Sequence, residues 1–155
     1  MDLSDEILIP APRDAVYAAL NDPLVLKASI PGCEELIRHS DTDLEAKVVL
    51  KIGPVKARFG GKVTLDKTGA PGRFSLSGEG SGGVAGFARG GADVELIEQE
   101  GGTLLRYTAR ADVGGKIAQL GNRLILGTAK KLSAAFFENF AAQVTGGAPA
   151  AEAAD

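Results

Sequence analysis

Between Leu44 and Ala111 apolar and polar residues alternate with a period of two, the pattern of an antiparallel sheet with one buried face. Leu44, Ala46, Val48, Leu50 and Ile52 fall on one side, with Glu45, Lys47 and Lys51 on the other. Gly53-Pro54 makes a turn. Val55, Ala57, Phe59, Gly61, Val63 and Leu65 then carry the inward row, against outward Lys56, Arg58, Lys62 and Thr64. Thr68 to Gly72 is a turn cluster. Phe74, Leu76, Gly78 and Gly80 continue inward, and Ser81 to Gly86 reads as a glycine-rich loop or bend. Asp93–Gln99 and Leu104–Ala111 predict a last hairpin around Glu100-Gly101-Gly102.

Before this stretch, Leu3 to Ile9 predicts a strand ended by Pro10. Pro12 suits the first turn of a helix carrying Val16, Tyr17 and Leu20. Asn21 ends it, and Asp22-Pro23 starts a second short helix, Leu24 to Ser29, as N-cap and first residue. Pro31-Gly32 stops it, and Cys33 to His39 predicts a strand. After Gly114-Gly115 the period changes. Ile117, Leu120, Leu124, Thr128, Leu132 and Ala135 recur at three and four, predicting a helix over Lys116 to Phe140. Residues 1–143 therefore read as one domain, and 144–155 as a flexible Ala/Gly/Pro tail. The fold class is α+β: a curved antiparallel sheet wrapped around a long C-terminal helix, with two short helices near the N-terminus.

Many inward positions are small: Ala46, Ala57, Gly61, Gly78, Gly80, Gly90, Ala92, Ala109 and Ala111. Under a long helix such residues leave room, which implies a pocket for an apolar ligand. Gly121 and Gly127 loosen the first half of the helix, by about 1 kcal/mol for each interior glycine relative to Ala. The predicted ligand contacts are Phe59, Phe74, Phe87, Tyr107, Ile117, Leu120, Leu124 and Thr128. Phe87 is placed at the mouth, and the Tyr107 hydroxyl is placed to hold a polar group of the ligand.

The chain has 155 residues and a formal net charge of -3, which gives no global case for nucleic acid. Its one cysteine, Cys33, cannot form an internal disulfide. The start, MDLSDEILIP, has neither a basic region nor a long apolar run, so no signal peptide is expected there. No stretch reaches the roughly 20 apolar residues of a membrane span. A cytoplasmic location follows as the expectation, peripheral at the inner face of the cell membrane if lipid is engaged.

Catalytic and metal chemistry find little support. His39 lies in a polar stretch with Arg38, Ser40 and Asp41; a general base would need a pocket position and an orienting partner, and a surface histidine at a strand end is expected instead. Glu34 and Glu35 beside Cys33 argue against a reactive thiolate. One His and one Cys do not build a zinc set, so no metal is expected. Gly78-x-Gly80-x-Gly82-Gly83 has strands on both sides, unlike a dinucleotide loop, and reads as strand bending. Lys47, Lys51, Lys56, Arg58 and Lys62 form an outward cationic row. It is either a solvated face or a docking surface for anionic lipid or an acidic partner.

Several motifs resemble the family of the carbon monoxide dehydrogenase G subunit. They are Ile30-Pro31-Gly32-Cys33-Glu34 after Asp22-Pro23, Lys51-Ile52-Gly53-Pro54-Val55, and Phe59-Gly60-Gly61-Lys62-Val63. The run from Val113-Gly114-Gly115-Lys116 through Gly121-Asn122-Arg123-Leu124-Ile125 completes the likeness. The resemblance spans Leu3 to Phe140 and implies the START-like, or Bet v 1-like, helix-grip fold. It further implies a non-enzymatic accessory of a molybdenum-hydroxylase-type CO dehydrogenase. Such a protein would hold a lipophilic quinone, menaquinone or ubiquinone, without covalent attachment, and link the enzyme to the membrane quinone pool. Two other readings stay open: an assembly or recruitment factor acting through its surface, and a small cyclase or hydrolase.

Overall fold

A computed structural model describes residues 1–146. Seven strands form one antiparallel sheet: β1 (Asp2–Ile9), β2 (Cys33–Arg38), β3 (Asp43–Ile52), β4 (Val55–Asp66), β5 (Arg73–Ser81), β6 (Phe87–Gln99) and β7 (Gly102–Gly114). The order is β1-β7-β6-β5-β4-β3-β2, so β2 to β7 follow as consecutive hairpins and β1 closes against β7. Helices α1 (Arg13–Leu20) and α2 (Pro23–Ser29) join β1 to β2, and α3 (Asn122–Val144) follows β7. This is the predicted α+β architecture.

The local chemistry that sets these boundaries is visible. The Asp22 carboxylate accepts the Leu24 N–H at 2.9 Å and Pro23 opens α2, as an N-cap and first residue should. Gly53 adopts φ +59° in the two-residue turn between β3 and β4. Two long-range hydrogen bonds fix the helices on the sheet. The fully buried Thr103 hydroxyl donates to the Ala11 carbonyl at 2.7 Å, holding the entry to α1 against β7. Asn139 of α3 donates to the carbonyl of buried Ser29 at 3.1 Å, holding α2 against α3.

Two boundaries differ from the sequence expectation. The helix expected from Lys116 starts at Asn122, because Lys116–Leu120 is a separate 3-10 turn. Gly121, at φ +93°, breaks the chain direction between them. At its other end α3 reaches Val144, one residue into the expected tail. Residues 147–155 of that tail lie outside the described residues. The last long hairpin also starts earlier than expected, because β6 runs from Phe87 and pairs along its whole length with β7.

The glycines at inward positions do more than leave space. A β-carbon on Gly90 would collide with the Arg110 carbonyl oxygen, and one on Gly78 would come within 2.8 Å of the Lys62 carbonyl oxygen. Glycine there lets neighbouring backbones approach as the sheet bends. On the outer face Glu45, Lys62, Glu79, Arg89 and Asp112 are successive register partners across five strands. Each cation stands between two carboxylates, the arrangement that favours cross-strand pairing on a solvated face.

Candidate functional site

The apolar interior divides into two clusters. The larger gathers Ile9, Val16, Phe74, Val94, Leu96, Leu105, Tyr107 and Phe140, under α1 and the C-terminal half of α3. Aromatic rings dominate it: Tyr107 stacks on Phe137 at 5.3 Å, and Phe136 packs edge-on to Phe137 at 5.0 Å. The smaller cluster lies at the opposite end. There Ile52 of the β3–β4 hairpin, Ala85 of the Gly83–Ala85 turn and Ile117 of the Lys116–Leu120 turn are buried together, with Phe59, Val113 and Leu120 against them.

The inward positions between these clusters are neither fully buried nor polar. Ala46, Gly61, Val63, Leu76, Gly78, Gly90, Ala92 and Ala111 all retain partial solvent access. Alanine and glycine project little or no side chain toward α3, and Gly61, Gly78, Gly90 and Ala111 also line furrows of the outer face. Along β3 to β7 the inward positions between the two clusters carry no His, Asp, Glu, Lys or Arg; Glu98, at the hairpin end of the row, pairs with Arg13 of α1 at 3.6 Å. Two hydroxyls stand in the row, those of Thr103, which donates to the Ala11 carbonyl, and of Tyr107, whose ring stacks on Phe137. The Tyr107 hydroxyl makes no hydrogen bond among the described residues. A row of small apolar residues with one unbonded donor suits a hydrocarbon carrying one oxygen in its head group.

The structure distributes the eight predicted contact residues among four places. Phe74 and Tyr107 lie in the larger cluster, where Phe74 also meets Tyr17 edge-on at 5.8 Å. Phe59, Ile117 and Leu120 lie in the smaller one, Phe59 with its ring against Gly82. Leu124 sits in the first turn of α3 over Gly53, closing the hairpin end. Thr128 turns its hydroxyl back onto the Leu124 carbonyl at 2.9 Å, so that oxygen already has a partner. Phe87 is corrected: it lies on the outer face, half exposed and against Gly114, in register with Ser81. Because β6 starts at Phe87, its side chain shares a face with Arg89 and Asp93, away from α3. Phe136 and Phe137 are the wall residues missing from the predicted set.

The outward cations also fall into distinct settings. Arg58 is paired with Glu34 at 2.6 Å, and this guanidinium holds the Glu34 carboxyl below its ordinary range. Lys62 stands between Glu45 and Glu79, and Lys47 opposite Glu35. Lys51 and Lys56 face each other across the hairpin. His39 bonds Glu45 at 2.8 Å on the surface, and that bond lowers the Glu45 carboxyl. Burial raises the Cys33 thiol pKa; the expected cause, the Glu34 and Glu35 carboxylates, plays no part, and a hydrogen bond to the Glu35 carbonyl acts the other way. Two outer-face furrows of about 760 and 560 Å³ are lined largely by polar residues, including Lys62, Glu79 and Arg89. Among the described residues no group of His, Cys, Asp and Glu is placed to hold a metal, and no helix is long and apolar enough to cross a membrane.

Comparison with known proteins adds an independent line. The family model for the carbon monoxide dehydrogenase G subunit (CoxG) matches residues 6–145. A search of curated proteins returned no match. Among solved structures, a conserved protein from Geobacillus kaustophilus is similar at 27% identity and TM-score 0.87, over 94% of this chain and 96% of that one. A STAR-related lipid transfer protein from Xanthomonas axonopodis is 18% identical with TM-score 0.61, over 90% and 85%. An aromatase/cyclase from Streptomyces sp. R1128 is 10% identical with TM-score 0.70, over 94% and 93%. The last two likenesses show the START-like fold alone.

Proposed function

The chain belongs to the CoxG family of carbon monoxide dehydrogenase G subunits, and from that premise we propose that it is a non-enzymatic carrier of a lipophilic quinone for a CO dehydrogenase of the molybdenum-hydroxylase type. The observation that supports the reading is the row of small apolar residues between two buried clusters, Ala46, Ala92 and Ala111 among them. A prenyl tail laid there would gain about 25 cal/mol per Å² of apolar area removed from water. Tyr107, with its free hydroxyl at the aromatic end, would donate to a quinone carbonyl. Menaquinone and ubiquinone both offer that carbonyl and that tail. The enzyme partner would supply the electrons, and the carrier would deliver reduced quinone to the membrane pool.

The fold is shared with an aromatase/cyclase, but this chain's inward row offers no acid–base pair for such chemistry. A carrier needs none. The test is native mass spectrometry of the purified protein followed by solvent extraction, with added menaquinone and ubiquinone titrated into the stripped protein. Retained quinone is expected at one per chain. Ala92→Leu should reduce retention at least about tenfold by adding bulk to that row, with circular dichroism confirming the fold. No quinone on the native protein and none taken up by the stripped one overturns the reading.

A further inference from the structure

The outer face of the sheet carries its charges in a set order. Glu45, Lys62, Glu79 and Arg89 are successive register partners on β3, β4, β5 and β6, so the row reads minus, plus, minus, plus. On one side of it the same strands place Lys47, Gly60, Ser81 and Phe87. On the other side they place Asp43, Thr64, Ser77 and Gly91. All three rows share the outer face, because side chains two apart along a strand point the same way. The charges of the middle row do not consume one another. Lys62, Glu79 and Arg89 are exposed and form no ion pair among the described residues. With Glu45, Gly60, Ser81 and Phe87 they border the furrow of about 560 Å³.

Reversed end for end, the row Glu45-Lys62-Glu79-Arg89 is its own complement. A two-fold axis lying along the strands between β4 and β5 performs that reversal on a second copy. Glu45 then faces Arg89 and Lys62 faces Glu79, each contact occurring twice because the interface is isologous. The same rotation sets Lys47 against the half-exposed ring of Phe87, a cation–π pairing, and Thr64 against Ser77. Gly60, with open space above it, faces Ser81. No like charges meet on the three rows. An axis running along the charged row itself would lay each charge on its own kind. An axis between β5 and β6 would set Asp43 against Asp2. Sheets twist, so only the strands beside the axis stay in contact.

We propose that two copies of this chain associate through this face, back to back across β3 to β6, with Lys62 of each copy meeting Glu79 of the other. Charge complementarity selects the occupant. A uniformly acidic or basic partner would meet as many like charges as unlike ones, whereas a second copy meets only unlike ones. Phe87 adds the exposed aromatic ring that such interfaces favour. The contact is polar and small, so the association is weak and falls as salt is raised. It lies on the side of the sheet away from α3 and stands apart from the carrier reading.

The experiment is sedimentation equilibrium of the full chain at rising protein concentration, in low and high salt. A monomer–dimer equilibrium is expected, weaker in high salt. Lys62→Glu and Glu79→Lys each place like charges at both symmetric contacts and should weaken self-association at least about tenfold. Mixed in equal amounts, the two variants should associate with each other within about threefold of wild type, because each contact again joins a carboxylate to an ammonium. Phe87→Ser should weaken association several-fold. Lys116→Glu, off this face, makes the same charge change as Lys62→Glu and should alter association less than about twofold. All four positions are exposed, and circular dichroism checks that each variant keeps the fold. A monomer at every concentration overturns the proposal, as does a dimer indifferent to the single reversals. So does a mixture that associates no better than its components, since effects confined within one chain are not repaired by mixing.

Discussion

Leu124 lies directly over Gly53. A β-carbon on Gly53 would come within 2.7 Å of Leu124 Cδ2, so the first turn of α3 rests on the tip of the β3–β4 hairpin. Gly53 also holds φ +59°, a conformation that costs an L-residue about 1 kcal/mol or more. Gly53→Ala should therefore lower unfolding stability by about 1–2 kcal/mol in urea melts. Because Leu124 ends in a flexible methyl, Leu124→Ala should relieve part of that loss. A double-mutant cycle is expected to show coupling of about 0.5 kcal/mol or more between the two positions.

Glycines in this sheet differ sharply in what they permit. Gly90→Ala forces a methyl into the Arg110 carbonyl and should cost about 3 kcal/mol, or prevent folding. Gly60 has nothing within 4 Å of a built β-carbon, so Gly60→Ala should be neutral or stabilise by up to about 1 kcal/mol. Chemical denaturation of the pair measures the contrast. Equal effects would show that the sheet is less tightly bent at Gly90 than described.

The buried Thr103 hydroxyl is the partner of the Ala11 carbonyl at 2.7 Å. Thr103→Val keeps the shape but leaves that carbonyl without its donor, and should cost about 1–3 kcal/mol. The loss should appear as earlier amide exchange at α1, whose entry this bond holds. Native-state hydrogen exchange reads it.

Glu34 gives a pH dependence with a definite sign. Its hydrogen bond with Arg58 lowers the folded pKa below the ordinary 4.5. The ionised carboxylate therefore favours the folded state at neutral pH. That contribution is lost as pH falls below 4.5 and through the lowered folded value. Wild-type protein should melt at a higher temperature than Glu34→Gln at pH 7, and the two should converge in acid. The pair is exposed, so the difference should be small and shrink with salt.

Much of this protein was legible before any coordinates. Period-two alternation fixed which residues of β3, β4 and β5 look inward, because side-chain direction in a strand is a local property. The Asp22-Pro23 start of α2 followed from capping chemistry in the same way. Phe87 was not legible, since its face depends on where β6 begins pairing with β7, and the Ser81–Gly86 glycines hid that boundary. Nor was the late start of α3: Lys116–Leu120 has helical spacing, and the break comes from one backbone angle at Gly121. At the candidate site, Tyr107 and Phe74 were visible as large inward residues. Phe137 was not singled out, because stacking on Tyr107 joins residues thirty positions apart.

The amino-acid sequence alone determined the sheet's two faces, the small inward residues and the scarcity of acid–base groups within. It also held Glu45, Lys62, Glu79 and Arg89, but nothing in one dimension says that they stand in one row. Only the tertiary structure decided that, because strand register sets which residues are neighbours across the sheet. It also decided that Gly78 and Gly90 serve strand bending, since backbone approach between strands is set by pairing and curvature and not by any residue's own preference.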